Sequence, residues 1–587
     1  VGLRELLSRG RRRPVRVYYD EAYRLPIAGS LDAHPQLRRA DDAVHYLVQA
    51  KAVRPEDVVN PQPVSYEALA RVHTAAYLES LHEPQTLAQI FAADPSELFV
   101  DEVMRSLRLA CGGTVGAARH VLAHGGAALN VMGGFHHAAP DRGAGFCALN
   151  DIAVAVAQVR ADGFGGKVAV IDLDFHPPDG TAACLGADPT VWLGSISGAD
   201  WGLLPGVDEI KLPQGTGDAE YLAALEALLS RLPKVELAFV LAGGDVLNGD
   251  RLGLFRLTLP GVRRRDRTVA AHLGRVPQVW LPAGGYSSNA WKVVAGIGLV
   301  LAFRSEEPIP VDYDPLAARM FRIARSLKPE SLGSDFSLSD ADVAEALGMP
   351  RAGPKKLLNF YTAEGIEYAL ERYRILPVLR RLGFDQLHVV IDRVGTCDRA
   401  RLMGRDKSTG TPATLIDLEV ERKSLGDGVY LFVNWLSLRN PRAQFSALRP
   451  QLPGQEVPGL GLAREVSQLL GLMARRLVLD GVAFRPSWYH MAWAARHHAR
   501  FLSPERQGRF EALMRDLATM SLLDATRAVA EGRVLLNGQP YTWEPDVMVY
   551  LVKAHQDVDR AAVVAERDRC HFMVLPPKAS APQAKAG

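Results

Sequence analysis

Between about Pro14 and Phe303, short runs of apolar, mostly β-branched residues alternate with longer segments whose apolar positions recur at helical spacing. Four runs stand out: "GAALNVM", "KVAVIDLDF", "ELAFVLAGG" and "VPQVWLPAGG". Each is continuously apolar rather than alternating, as strands covered on both faces are, so an α/β fold with a mainly parallel sheet sandwiched by helices is predicted. Among the helices between them, Tyr221, Leu222, Leu225, Leu228, Leu229 and Leu232 form one apolar stripe, with Asp218 as the expected N-cap. Beyond about Arg304, "SEEPIPVDYDP" and "KPESLGSDFSLSD" interrupt the alternation, placing a boundary near residue 330 between an N-terminal domain (1–330) and a C-terminal one (331–587). In the latter, "QLHVVIDRV", "ATLIDLEVERK" and "GVYLFVNWLSL" predict an antiparallel meander, and helical patterns continue over 462–479 and 487–530, giving an α+β domain. The tail "PPKASAPQAKAG" is poor in apolar residues and is expected to be disordered.

Composition narrows the class. With 587 residues, the chain exceeds one ordinary core, and 48% apolar with 23% charged residues is globular. Lys and Arg at 68 against Asp and Glu at 66 leave a net charge of +2, which argues against an obligatory nucleic-acid or anionic-membrane partner. The one basic cluster, "RGRRRPVR" at Arg9–Arg16, is short and reads as a solvated arm. Five cysteines without CxxC spacing suggest neither a disulfide framework nor a thiolate metal site. No apolar stretch reaches the roughly 20 residues of a membrane span, and no signal-peptide core is visible at the start. A cytoplasmic protein is expected; its oligomeric state is not legible.

The chemistry sits in the segments directly after the strands. The four runs end in "GGFHHAAP", "DFHPPDG", "GGDVLNGD" and "AGGYSSN". In α/β sheets ligands bind beyond the carboxyl ends of the strands, so one rim is expected to collect His, Asp, Asp and Tyr. In an extended segment Asp172, Asp174 and His176 face one way, while Leu173 and Phe175 face the other. Asp174 and His176, joined by Asp245, supply one nitrogen and two carboxylates and leave a position open, the arrangement of a catalytic zinc site. Buried carboxylates are costly unless paired or metal-bound. His136 and His137 are the natural acid/base pair, and Asp172 and Asp179 are the unassigned acids beside the metal ligands. Tyr286, on a glycine-flanked turn, could donate to a carbonyl oxygen as charge develops there.

"GGFHHAAPDRGAGFCALND", "DLDFHPPDGTA", "LPQGTGDAEYLAAL", "AGGDVLNGDRLG" and "AGGYS" resemble, in order and spacing, the motifs of the histone deacetylase family, whose fold is that of arginases and deacetylases. The pattern is closest to bacterial and class IV-like members and covers roughly residues 14–305, including "HPQLRR" and "RVHTAAYL" upstream. The resemblance implies Asp174, His176 and Asp245 as zinc ligands, His136 paired with Asp172, and His137 paired with Asp179. It implies that Tyr286 polarises the scissile amide together with the metal, while water deprotonated by the histidine pair attacks. It further implies that the backbone around Gly145 and the ring of Phe146 line an acyl-lysine channel. A potassium ion held by Asp172, Asp174, His176 and Ser195 is also implied.

The departures from the family are informative. The arginase branch binds two manganese ions and has a further acid two residues past the His and another two past the third-strand Asp; here these positions are Pro178 and Leu247. A mononuclear hydrolase is therefore expected, although one His and two carboxylates also accept iron or cobalt. Deacetylases carry His or Gln and then Gly where this chain has Pro177 and Pro178, so the loop leading to Asp179 is where it should differ. "SISGADWGLLPGVDEI" is shorter than the family's segment and lacks its second channel phenylalanine; Trp201 either stands in for it or packs at the rim. The expected reaction is hydrolysis of an N-acetyl or N-acyl amide on lysine side chains of proteins or peptides. Rival expectations are deacetylation of small amines such as acetylpolyamines, and a non-catalytic acyl-lysine-binding scaffold, which would need a lost ligand or tyrosine. In the C-terminal domain, "GQEVPGLGLAREVSQLL" opens a helix after the predicted strands and is similar in order to the coenzyme A loop of GNAT acyltransferases, with Gln455 one residue too far from Gly459 and Gly461. An accessory docking or self-association domain is the plainer expectation. His490, His497 and His498 lack ligand partners at metal spacing and read as polar helix residues.

Overall fold

In a computed structural model of the chain, the continuous apolar runs become neighbouring parallel strands. The structure describes residues 12–25, 27, 38–95, 98–304, 306, 308–333, 356–446, 449–553 and 559–576. Part of the basic cluster (9–11), most of "HPQLRR" (34–37), part of both boundary segments (305, 307 and 334–340) and the C-terminal tail (577–587) lie outside the described residues. The chain divides into two units, Val1–Arg319 and Met320–Gly587. Among the described residues no helix is long and apolar enough to cross a membrane.

The first unit holds strands β1 (Arg16–Tyr18), β2 (Val58–Val59), β3 (Ala127–Asn130), β4 (Val168–Asp172), β5 (Val191–Ser197), β6 (Val207–Lys211), β7 (Leu237–Leu241) and β8 (Gln278–Leu281). They form one sheet in the order β2-β1-β3-β8-β7-β4-β5-β6, and every pairing is parallel. The arrangement is that of the arginase/deacetylase fold. Strand side chains alternate between two cores. Ala238 and Val240 of β7 join one core with Leu47, Leu225, Val269 and Ile297. Leu237, Phe239 and Leu241 join the other with Leu107, Ile152 and Val156. Helices therefore cover both faces, which is why these strands read as unbroken apolar runs. Asp218 does not cap its helix. Gly217 holds the N-cap position of Asp218–Leu229, and the Asp218 carboxylate accepts from the backbone N–H and hydroxyl of Thr258 at 2.8 and 2.6 Å. A side chain that finds a donor 40 residues away in sequence is no longer free to cap its own helix.

The second unit is built on β9 (Phe384–Val394), β10 (Cys397–Asp406), β11 (Pro412–Leu425), β12 (Gly428–Leu438), β13 (Gly481–Phe484), β14 (Arg500–Phe501), β15 (Val534–Leu536), β16 (Gln539–Pro540), β17 (Met548–Leu551) and β18 (Phe572–Val574). Seven of these form a sheet ordered β14-β17-β13-β12-β11-β10-β9, and β16-β15-β18 form a smaller one. Strands β9 to β12 are the antiparallel meander. The glycine-containing loop after β12 leads into helix Ala463–Arg476 and back to β13, which lies parallel to β12. The predicted helical stretch over 487–530 is instead three helices, Tyr489–Ala495, Pro504–Asp516 and Leu522–Ala530. Arg500 and Phe501 leave the helical path to pair with β17, and Ser503 and Ser521 each cap a fresh start, accepting from Arg506 N and Asp524 N.

Candidate active site

Strands β3, β8, β7 and β4 are adjacent in the sheet, so the loops that leave their carboxyl ends share one edge. The acids after β4 do not stay on an extended strand. β4 stops at Asp172, whose Oδ1 accepts from Asp174 N at 3.1 Å, and Asp174 Oδ1 in turn accepts from His176 N at 3.0 Å. These side-chain-to-backbone bonds bend the chain. Leu173 and Phe175 are sent into the core, while Asp174 and His176 meet Asp245 from the end of β7. His176 Nδ1 lies 3.2 Å from Asp174 Oδ1 and 3.1 Å from Asp245 Oδ2. One donor atom from each of the three residues falls within 4.8 Å of the others. Among the described residues this is the one such group, and His490, His497 and His498 form none.

The donor set fits a divalent ion. Asp174 and Asp245 are 1% and 0% exposed, and burial together with the charge of Asp174 pushes Asp245 up to about 8. Two buried carboxylates this close repel each other unless a proton or a cation lies between them. The backbone leaves them little room. A Cβ at Gly284 would lie 2.6 Å from Asp174 Oδ2 and 2.8 Å from Asp245 Oδ2, where instead Gly284 N donates to Asp174 Oδ2 at 2.7 Å. One nitrogen and two oxygens, with no further protein donor in the group, match an open catalytic site.

His136 and His137 are placed beside these acids by the loop after β3. The buried Asp151 carboxylate accepts from Gly134 N at 3.0 Å, Phe135 N at 2.7 Å and the Thr114 hydroxyl at 2.6 Å. Asn150 donates to Ala138 O at 3.0 Å and caps helix Asp151–Ala161. The loop is thus tied at both sides of the histidine pair. His136 Nδ1 meets Asp172 Oδ2 at 2.8 Å and His137 Nδ1 meets Asp179 Oδ1 at 2.7 Å, which leaves each Nε2 for chemistry. Pro178 precedes helix Asp179–Leu185, and Asp179 at its first position reaches His137 across the double proline. The two histidines differ electrostatically. Burial disfavours charge on both, but Asp172 and Asp174 outweigh it at His136 and raise it to about 9. At His137 burial and the neighbouring His136 prevail over Asp179, and the pKa falls.

The turn after β8 carries Tyr286. Its backbone N–H and that of Ser287 donate to Asp250 Oδ2 at 2.7 and 2.9 Å, Arg251 Nε donates to Tyr286 O at 2.8 Å, and Arg39 donates to Gly285 O and Ala283 O. Burial, then the charges of Asp174 and Asp245, hold the phenol far above its usual range, so it remains a proton donor. Phe146 sits at φ +65°, a conformation uncommon for a bulky side chain, and its ring centroid lies 5.7 Å from that of Tyr286. The preceding Gly145 has φ +53°, and a Cβ there would lie 2.4 Å from His137 Cδ2. Trp201 is 48% exposed, with its ring 5.2 Å from His137 and 5.9 Å from His176. Ser195 pairs with Asp172 in register, and its buried hydroxyl has no hydrogen-bond partner among the described residues.

Asp151, Asn150, Asp250 and Arg39 were not legible as site residues. The only signal was local: Asn-Asp opening a helix suggests a cap, not the support of a loop that precedes it by more than ten residues.

Residues 34–297 match the family described as "Histone deacetylase domain". The chain is 31% identical over 298 residues to "Histone deacetylase 2" of Arabidopsis thaliana, covering 48% of this chain and 77% of that protein. An uncharacterized protein of Picosynechococcus is 34% identical over 270 residues, covering 42% of this chain and 85% of its own length. "Histone deacetylase 8" of Xenopus tropicalis is 27% identical over 305 residues, covering 46% and 80% respectively. All three alignments span no more than about half of this chain.

Proposed function

The chain belongs to the histone deacetylase family, and we propose that its first unit is a zinc-dependent hydrolase of N-acetyl or longer N-acyl amides on lysine side chains. The observation that carries this reading is the meeting of Asp174, His176 and Asp245 beside two histidines, each held by its own carboxylate. Asp174, His176 and Asp245 would hold the zinc, which when bound activates water and polarises the amide carbonyl. The remaining work falls to the chain's own side chains. Asp172 and Asp179 fix the two imidazoles with Nε2 directed at the site, so the pair can take a proton from water and deliver one to the departing amine. Tyr286 offers its hydroxyl hydrogen to the carbonyl oxygen as negative charge develops there. Phe146 and Trp201 flank the approach with rings that suit an aliphatic chain and limit water. Asp172 and the unpartnered Ser195 hydroxyl suit a potassium ion behind the site.

The rings of Trp201 over His137 and His176 favour a slim substrate, so a small acetylated amine is the competing reading. Metal-analysed protein assayed on acetyl-lysine peptides, longer acyl-lysine peptides and acetylpolyamines separates the two. Turnover on peptides, lost in Tyr286→Phe, supports the lysine reading; turnover confined to polyamines replaces it; none on any substrate at full metal occupancy defeats both.

A further inference from the structure

The second unit contains a cavity of about 120 Å³ between one face of the meander and the helices Ala363–Arg372 and Ala463–Arg476. Its walls are almost wholly apolar: Leu402 and Leu418 come from the strands, Ile366, Ala369, Leu470 and Met473 from the helices. The opposite face of the same strands carries the charges, with Arg399 bound to Asp417 at 2.8 and 2.6 Å. Three polar side chains break the apolar lining: Tyr361, Tyr373 and Arg476. Both tyrosines are 6% exposed, and no described residue pairs with either hydroxyl. Arg476 donates to Leu327 O at 3.2 Å and Ala324 O at 2.9 Å. That occupies two of its five N–H groups, and no described carboxylate neutralises it. Burial raises both phenols, Tyr373 to about 12, and the charge of Arg476 opposes the rise in each, so the three form one electrostatic cluster.

An apolar pocket whose lining includes one cation with no carboxylate partner among the described residues and two phenol donors close enough to feel its charge is complementary to an amphiphile with an anionic head. A wholly apolar occupant would leave the hydroxyls unpaired, and a cationic one would face Arg476. We propose that this cavity binds a straight-chain monocarboxylic acid, its tail among the leucines and its carboxylate accepting from Arg476, Tyr361 and Tyr373. Capacity limits the tail. An engineered apolar cavity of about 150 Å³ holds benzene, so this one takes roughly five or six carbons. The proposal does not rest on the hydrolase reading, although a hydrolase of acyl amides releases a ligand of this class.

Titration calorimetry of the full-length protein with saturated acids from butanoate to decanoate tests it. Affinity should rise about fourfold per methylene and level off once the cavity is full. The methyl esters should bind at least tenfold more weakly. Ala369→Phe, which fills the cavity, should abolish binding. Should that variant fail to fold, the double substitution Tyr361→Phe with Tyr373→Phe should weaken the acids about tenfold while leaving the esters unchanged. Binding should also survive removal of metal from the first unit. Equal affinity for acids and esters, binding that disappears with the metal, binding indifferent to both sets of substitutions, or no binding would each overturn the assignment.

Discussion

The first unit buries charge at the carboxyl edge of its sheet: Asp172, Asp174 and Asp245 are each at most 1% exposed, and His136 and His137 stand against them. On the meander of the second unit, the ion pairs of Arg399 with Asp417 and of Arg401 with Asp392 lie on the outer face and remain partly exposed, whereas the inner face is lined mainly by apolar side chains, with Tyr361, Tyr373 and Arg476 among them. Both units are helix-covered sheets, so the contrast is not one of architecture. Burying an ionised carboxylate is costly unless something compensates it, and each of these three acids has a histidine or a backbone N–H to do so. Acids and histidines buried together at the strand ends therefore mark the candidate for chemistry, whereas a buried leucine marks only that the chain has a core. The largest difference should come from attacking the buried acids themselves. Asp245→Asn removes a proposed metal ligand but keeps the shape of the side chain. Turnover should fall on the order of 10⁴-fold, metal content by elemental analysis should drop with it, and chelation of the unsubstituted protein should reproduce the loss. Metal retained at full occupancy would show that Asp245 is not a ligand.

A smaller effect separates support from chemistry. Asp151 touches no reacting group, yet it holds Gly134 N, Phe135 N and the Thr114 hydroxyl in a site closed to solvent. Asp151→Ala leaves those donors unpaired, and stability should fall by roughly 3 kcal/mol. Turnover should fall further than the folded fraction accounts for, because the loop carrying His136 and His137 loses its tie. Denaturant unfolding together with kcat on the folded protein checks both parts, and kcat equal to that of the unsubstituted protein would make Asp151 purely structural.

The contrast between the units also explains what could be read from the sequence. Strands β3, β4, β7 and β8 are legible because parallel strands buried on both faces give unbroken apolar runs, and acids placed straight after them are conspicuous. The Asp174, His176 and Asp245 group could be named for that reason, whereas the pairing of His136 with Asp172 and of His137 with Asp179 is implied only by the resemblance to the family. Their local geometry was not legible: Asp172, Asp174 and His176 are brought to the site by a bend of backbone-to-carboxylate hydrogen bonds, not by strand alternation. Asp250 and Arg39 act across 36 and 246 residues of sequence, and packing alone brings such partners together. In the second unit, the alternation of Ile416 and Leu418 with Asp417 and Glu419 marks a two-faced strand. It does not distinguish a filled core from a cavity, because the same leucines line either. The interruption of the 487–530 helix at Arg500 and Phe501 was invisible because the strand they join, β17, lies almost 50 residues on.

The smallest effect is expected on the charged face of the second unit. Arg399 makes a two-point contact with Asp417 and lies 3.6 Å from Glu419, so its loss leaves two acids side by side. In a buried site that would be severe, as at Asp151. Here the Arg399, Asp417 and Glu419 side chains retain 29%, 13% and 21% of their exposure, and water and salt screen the remaining charges. Arg399→Gln should therefore cost no more than about 1 kcal/mol, shrinking further in high salt, with kcat unchanged. Denaturation midpoints at low and high ionic strength measure both numbers. A loss as large as that of Asp151→Ala, insensitive to salt, would mean that this face is as desolvated as the acid edge of the first unit, and the distinction between a charge that serves chemistry and one that serves solubility would fail at this position.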